Sequence, residues 1–213
     1  MIKLSVEYSK EFELERIENT IKRLDWYLNN KYSLSSLSFP KNLDVDNLKK
    51  VLGEEISKAV GGEYDEDKFI ASAESIEQMY GKYETRLEDF VKSLNLPVIP
   101  EIKVSLTNYG IGGSYHLPNE IIVNTSRFFS IGLIITILHE TVHLHIQHLI
   151  DQYKIGQWEK ETIVNLLFEK AFPEIYKEPN IPIDTTGIKK VFEENFPNIE
   201  KIISLISSTS SSV

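Results

Sequence analysis

Cysteine is absent from all 213 residues, which excludes disulfides and any metal site built on thiolate. A metal ion held by this chain must sit among histidine and carboxylate, and the lack of thiols is compatible with a reducing compartment. Histidine is scarce too: of the 5 present, His139, His143, His145 and His148 fall in one short stretch. Positive charge is the minority sign, with 23 Lys and Arg against 32 Asp and Glu, and the net charge of −9 is spread over both halves. Without a basic cluster to neutralise a row of phosphates, no nucleic-acid partner is expected. Long apolar runs are missing as well. The most apolar stretch, residues 128–138, is interrupted by Ser130, Gly132 and Thr136 and falls short of the roughly 20 residues that span a bilayer. It reads as a buried helix, and no membrane partner is expected. Residues 1–10 alternate polar and apolar side chains and lack the apolar block of a signal peptide, so the expected location is the cytoplasm. With only 10 Gly and 8 Pro, the composition is that of a globular protein, apart from residues 204–213, which read as a disordered tail.

Two stripes at helical spacing run through the first part of the chain, Leu14, Ile17, Ile21, Leu24, Leu28 and then Phe69, Ala73, Ile76, Tyr80, Tyr83, Leu87, Phe90, Leu94. Each predicts a long amphipathic helix, the second capped by Asp65 and ended before Pro97. Val45, Leu48, Leu52 and Ile56 form a further stripe. Packing of these helices on one another explains the seams more simply than a coiled-coil dimer. The acidic run 63–67 punctuates a helix start and lacks the alternating ligands and glycine of a calcium loop. Residues 101–106 and 120–123 predict strands. The glycine-rich stretch between them, Gly110 to His116, lacks dinucleotide-binding spacing and reads as a bulge or edge strand. A proline-free helix is expected from about residue 126 to 153, broken at Gly156, followed by a buried helix over 157–172.

The chemistry lies in His139-Glu140-Thr141-Val142-His143, an HExxH sequence inside the first of these two helices. Residues four apart share a helix face, so both imidazoles reach one ion, and zinc accepts nitrogen and oxygen ligands while keeping a position open for water. Glu140 is placed to take the proton of a zinc-bound water as general base. His145 and His148 point to the opposite side of the helix and read as surface or second-site histidines. For the third ligand, Glu159, Glu161 and Glu169 compete. Glu161 shares a stripe with Val164, Asn165, Phe168 and Phe172, whereas Glu159 lies about 160° away, so Glu161 is expected to hold the metal.

HETVH, a helix break and a glutamate opening ETIVN resemble the gluzincin, or thermolysin-like, zinc metallopeptidases over roughly residues 97–175. The resemblance implies an α+β zincin-like core over 97–203, preceded by a helical region over 1–96 that packs on it. It implies hydrolysis of peptide or protein substrates, with His139, His143 and Glu161 holding Zn²⁺. It also implies that Asn165, one turn beyond Glu161, orients His139 in place of the family's carboxylate. Gly113, Ser114, Tyr115 and His116 would bind extended substrate as an edge strand ahead of Ile121–Val123. Tyr153 lies in the interval where that family has a tyrosine that helps to stabilise the oxyanion, and it reads equally as a buried aromatic at a helix end. No histidine follows His148 to serve as the family's further transition-state histidine, so that task falls to zinc, Tyr153, His116 or another residue. Two other readings are a peptidase with one dedicated protein substrate and a noncatalytic zinc-stabilised peptide-binding module. A purely structural zinc site would have no use for Glu140.

Overall fold

The computed structural model describes residues 1–210. Its centre is a four-stranded mixed sheet in the order β1-β2-β4-β3, built from β1 (Lys3–Glu7), β2 (Glu101–Thr107), β3 (Gly113–His116) and β4 (Glu120–Asn124). β1 and β4 both run parallel to β2, and β3 lies antiparallel to β4 at the end of the sheet. The alternation in residues 1–10 is thus that of a strand, and the first segment of the region expected to be helical belongs to the central sheet. Strand alternation gives the sheet two unlike faces. Leu4, Val6, Ile102, Val104, Leu106, Ile121 and Val123 pack into the main core. The opposite face carries Ser105, Thr107 and Asn124, all buried.

Both N-terminal stripes are cut. The first is shared by α1 (Lys10–Lys22), capped by Ser9, and α2 (Leu24–Asn29), with Arg23 out of helical geometry between them. The second is shared by α4 (Glu66–Tyr80) and α5 (Glu84–Ser93), hinged at Gly81. The stripe continues because Phe69, Ile76, Tyr80, Leu87 and Val91 all face one core. The expected cap at Asp65 accepts the Lys68 N–H at 3.4 Å. Residues 45–50 form 3-10 turns kinked at Asn47 ahead of α3 (Gly53–Glu63). Leu52 is 66% exposed there, so the third stripe is no single helix. α1 packs on α3 through Ile17, Ile56, Ala59 and Val60, which accounts for the seam inside one chain.

α6 (Ile131–Tyr153) lies between the sheet and α7 (Gln157–Ala171). Leu133, Ile134, Ile137 and Leu138 enter the sheet core, while Val142, Ile146, Leu149 and Ile150 join a second core with α7, α8 (Thr186–Asn195) and α9 (Ile199–Ser210). The helix starts later than expected and leaves Phe129 83% exposed. It ends at Lys154, which takes the left-handed conformation (φ 53°), and Gly156 instead caps α7. The expected disordered tail is helical as far as the description reaches: Ile206 of α9 is buried, and residues 211–213 lie outside the described residues. Among the described residues no helix is long and apolar enough to cross a membrane.

Candidate metal centre

α6 sets His139 and His143 one turn apart, with their Nε2 atoms 3.2 Å from each other. The short connection through Lys154 and Gly156 returns the chain as α7 alongside α6, and Glu161 Oε2 lies 3.7 Å from His139 Nε2 and 3.4 Å from His143 Nε2. A tetrahedral ion with bonds of about 2.0–2.1 Å separates its ligand atoms by roughly 3.3–3.4 Å. Two of the three separations lie close to that spacing and the third, His139 to Glu161, is somewhat longer, so the three atoms could take one ion between them after a small adjustment. They are the one grouping of three or more possible metal ligands among the described residues.

The other carboxylate oxygen of Glu161 is engaged from outside. Gln157, one turn earlier, donates its amide to Oε1 at 3.0 Å, and Lys160 Nζ lies 3.8 Å from the same atom. That division leaves Oε2 to the imidazoles. Burial works against ionising Glu161, but the two histidines hold its pKa below the usual carboxylate range. Burial pushes His143 down to about 4, so it is a neutral imidazole, the form that ligates a metal. His139 is drawn up: burial lowers it, and the hydrogen bond to Glu161 and the charge of Glu140 outweigh that. His143 Nδ1 is buried without a hydrogen-bond partner. Its ring is fixed instead by Tyr115, stacked at 4.8 Å and 11°. Tyr115 donates its hydroxyl to Gln147 Oε1 (2.6 Å) and accepts from Lys160 Nζ (3.1 Å).

Glu140 is buried between α6 and β3, and burial, opposed by His139, raises its pKa to about 7. The contact with β3 explains Gly113: a Cβ there would come 2.6 Å from Glu140 Oε1 and 2.5 Å from Thr136 Cγ2. β3 pairs with β4 on one side only. Starting from the Asn124 N–H bond to the Gly112 carbonyl, the antiparallel alternation leaves the main-chain groups of Gly113 and Tyr115 on the open edge.

Several expected site residues are elsewhere. Tyr153 gives its hydroxyl to Glu200 at 3.2 Å and packs in the second core, nearly three turns beyond His143. Asn165 donates back to the Glu161 carbonyl at 2.7 Å and lines a hollow with Tyr176 and Ile183, so it does not orient His139. Alternation turns the Ser114 and His116 side chains to the sheet face away from α6, leaving Gly113 and Tyr115 beside the ligands. His148 is exposed, as expected, whereas His145 is buried rather than at the surface. The Ile99 N–H donates to His145 Nε2 (3.3 Å), which fixes its proton on Nδ1, donated to the Thr141 carbonyl (2.7 Å). It is a structural histidine.

Sequence reasoning missed Gln157, Lys160 and Tyr32. The one-turn spacing of Gln157 from Glu161 was a usable signal. Tyr32 follows α2, stacks on Trp158 at 5.5 Å and accepts from Gln157 Nε2 at 3.3 Å. Burial, then the charge of Glu161, lifts its pKa to about 12. No local pattern announces it, because its placement depends on a contact across more than a hundred residues. Compared with models of known protein families, with curated proteins and with solved structures, the chain matches none.

Proposed function

We propose that the protein is a zinc-dependent peptidase with a zincin-like core. The observation that carries this reading is the close grouping of His139 Nε2, His143 Nε2 and Glu161 Oε2 at separations near those of a tetrahedral ion's ligands, with the Glu140 carboxylate on the helix of the two histidines. A bound Zn²⁺ would polarise a substrate carbonyl and make water acidic enough to attack it. The chain's own residues supply the remaining work. An extended peptide added to the open edge of β3 would be held by the main-chain groups of Gly113 and Tyr115. Glu140, next to His139 in the chain and buried against β3, is the group that would take a proton from the attacking water and give one to the leaving amine. Tyr115 and Lys160 hold His143 and Glu161 in place. Tyr153 is too far away to steady a developing oxyanion, and the Tyr115 hydroxyl is already engaged as donor to Gln147. Tyr32 only accepts in its hydrogen bond from Gln157, so its hydroxyl proton is free for that role.

The test compares the native protein with Glu140→Gln for zinc content and for cleavage of a mixed peptide library. Both should bind one zinc per chain, and the variant should lose at least about a hundredfold in rate. Stoichiometric zinc with no cleavage by the native protein would sink the catalytic reading in favour of a noncatalytic zinc module.

A further inference from the structure

Arg16, on α1, is 6% exposed, yet its Nε and Nη2 have no hydrogen-bond partner, and no acidic side chain among the described residues pairs with it. Its guanidinium lies against the backbone of Gly110, where an added Cβ would approach Nε to 2.6 Å. Glu13, one turn earlier, makes no ion pair with it: its oxygens accept from the Thr107 hydroxyl and the Asn108 N–H, and burial raises its pKa to about 7 even though the Arg16 charge opposes that rise. Glu140 is near enough for its charge to be felt at Arg16. A guanidinium shut away from water without an anion is costly, and folded chains keep such a group where something supplies the anion.

A second unsatisfied group shares this side of the sheet. Ser114 Oγ is buried with no partner. The registers Thr107↔Asn124 and Ser114↔Ile122 put Ser114 on the face of Thr107, which α1 covers through Glu13. A peptide added to β3 as a further strand alternates its side chains between the two faces. Groups on one face come beside Gly113 and Tyr115, where His143 and Glu140 lie; groups on the other come beside Ser114, on the side of the sheet that α1, the helix of Arg16, covers.

We propose that Arg16 and Ser114 form an anion subsite for a carboxylate of the bound peptide, either its C-terminus or an acidic side chain next to the scissile bond. The proposal rests on the peptidase reading for the identity of the ligand and names the substrate class: peptides that carry negative charge close to the cleavage point. Arginine suits the task because its planar fork binds a carboxylate through two parallel hydrogen bonds.

The experiment measures equilibrium binding to the zinc-loaded full-length protein rather than turnover, so failure of catalysis does not obscure it. Three probes are compared: N-acetyl-leucine, with a terminal carboxylate; N-acetyl-glutamate α-amide, with a side-chain carboxylate; and N-acetyl-leucinamide, with neither. One of the first two should bind at least about tenfold more tightly than the third, and which one does so distinguishes the C-terminus from an acidic side chain. Arg16→Gln should abolish the preference, and Arg16→Lys, which keeps the charge and loses the fork, should reduce it severalfold. Equal binding of all three probes overturns the subsite. So does a preference that survives in Arg16→Gln, since the carboxylate would then be held by the metal alone. If Arg16→Gln does not fold, an undiminished preference in Arg16→Lys overturns the proposal equally.

Discussion

Gly113 sits where the proposed general base meets the sheet, and no side chain fits between them. Gly113→Ala would drive a methyl group into Glu140 Oε1 and Thr136 Cγ2. The expected cost is about 1–3 kcal/mol of stability. Because the proposed metal ligands stand on α6 and α7 rather than on β3, zinc content should stay near native while peptide cleavage falls; equal loss of both would place the glycine's role in folding alone. Glu13 carries a pH dependence of definite sign. Its pKa rises from 4.5 to about 7 in the fold, mainly through burial. The folded state therefore keeps a proton that the unfolded chain releases. The associated stability is fully present below about pH 4.5 and is lost as the pH climbs to about 7, a change on the order of 3 kcal/mol. Glu13→Gln should keep the contacts to Thr107 and Asn108 and flatten that part of the curve. Urea unfolding at pH 4.5 and pH 8 checks this, and an unchanged difference between the two pH values would refute it. At this scale the sequence marked His139, Glu140, His143 and Glu161 through helical spacing alone. It misplaced Tyr153 and Asn165, which came from a resemblance, because neither has a periodic constraint tying it to the ligands.

Among the elements, α6 and α7 were legible because apolar spacing, a proline-free run and a glycine at their junction all agreed. The long N-terminal stripes were read as unbroken helices and are not. A stripe records which face is buried, and that face runs on through the turns at Arg23 and Gly81. The serine-rich end misled in the opposite direction. Its serines obscure Ile206, which continues the spacing of Ile199, Ile202 and Ile203 and helps to close the second core. Ile206→Ala should accordingly cost about 2–5 kcal/mol, measured as a shift in the urea midpoint with unchanged slope. A cost within experimental error would mean that the end of α9 contributes nothing to that core.

Across the whole molecule, the N-terminal part does more than pack against a finished core. β1 is the parallel partner of β2, the Tyr80 hydroxyl donates to the Ile2 carbonyl at 2.8 Å, and Arg16 and Tyr32 stand beside the site. A fragment starting at residue 97 is expected to show no cooperative thermal transition and no stoichiometric zinc, although it contains every proposed ligand; a folded, zinc-binding fragment would contradict this. The sequence by itself determined the helix of His139 and His143, the neighbouring carboxylate of Glu140 and the face that brings Glu161 rather than Glu159 to the two imidazoles. These follow from a period of 3.6 residues, a local property of the chain. The tertiary structure decided the three interatomic distances, the stack of Tyr115 on His143, the arrival of Tyr32 across the chain and the burial of Arg16 with two nitrogens left without hydrogen bonds. Each of those depends on which elements pack together, and contacts between distant residues leave no period in the sequence.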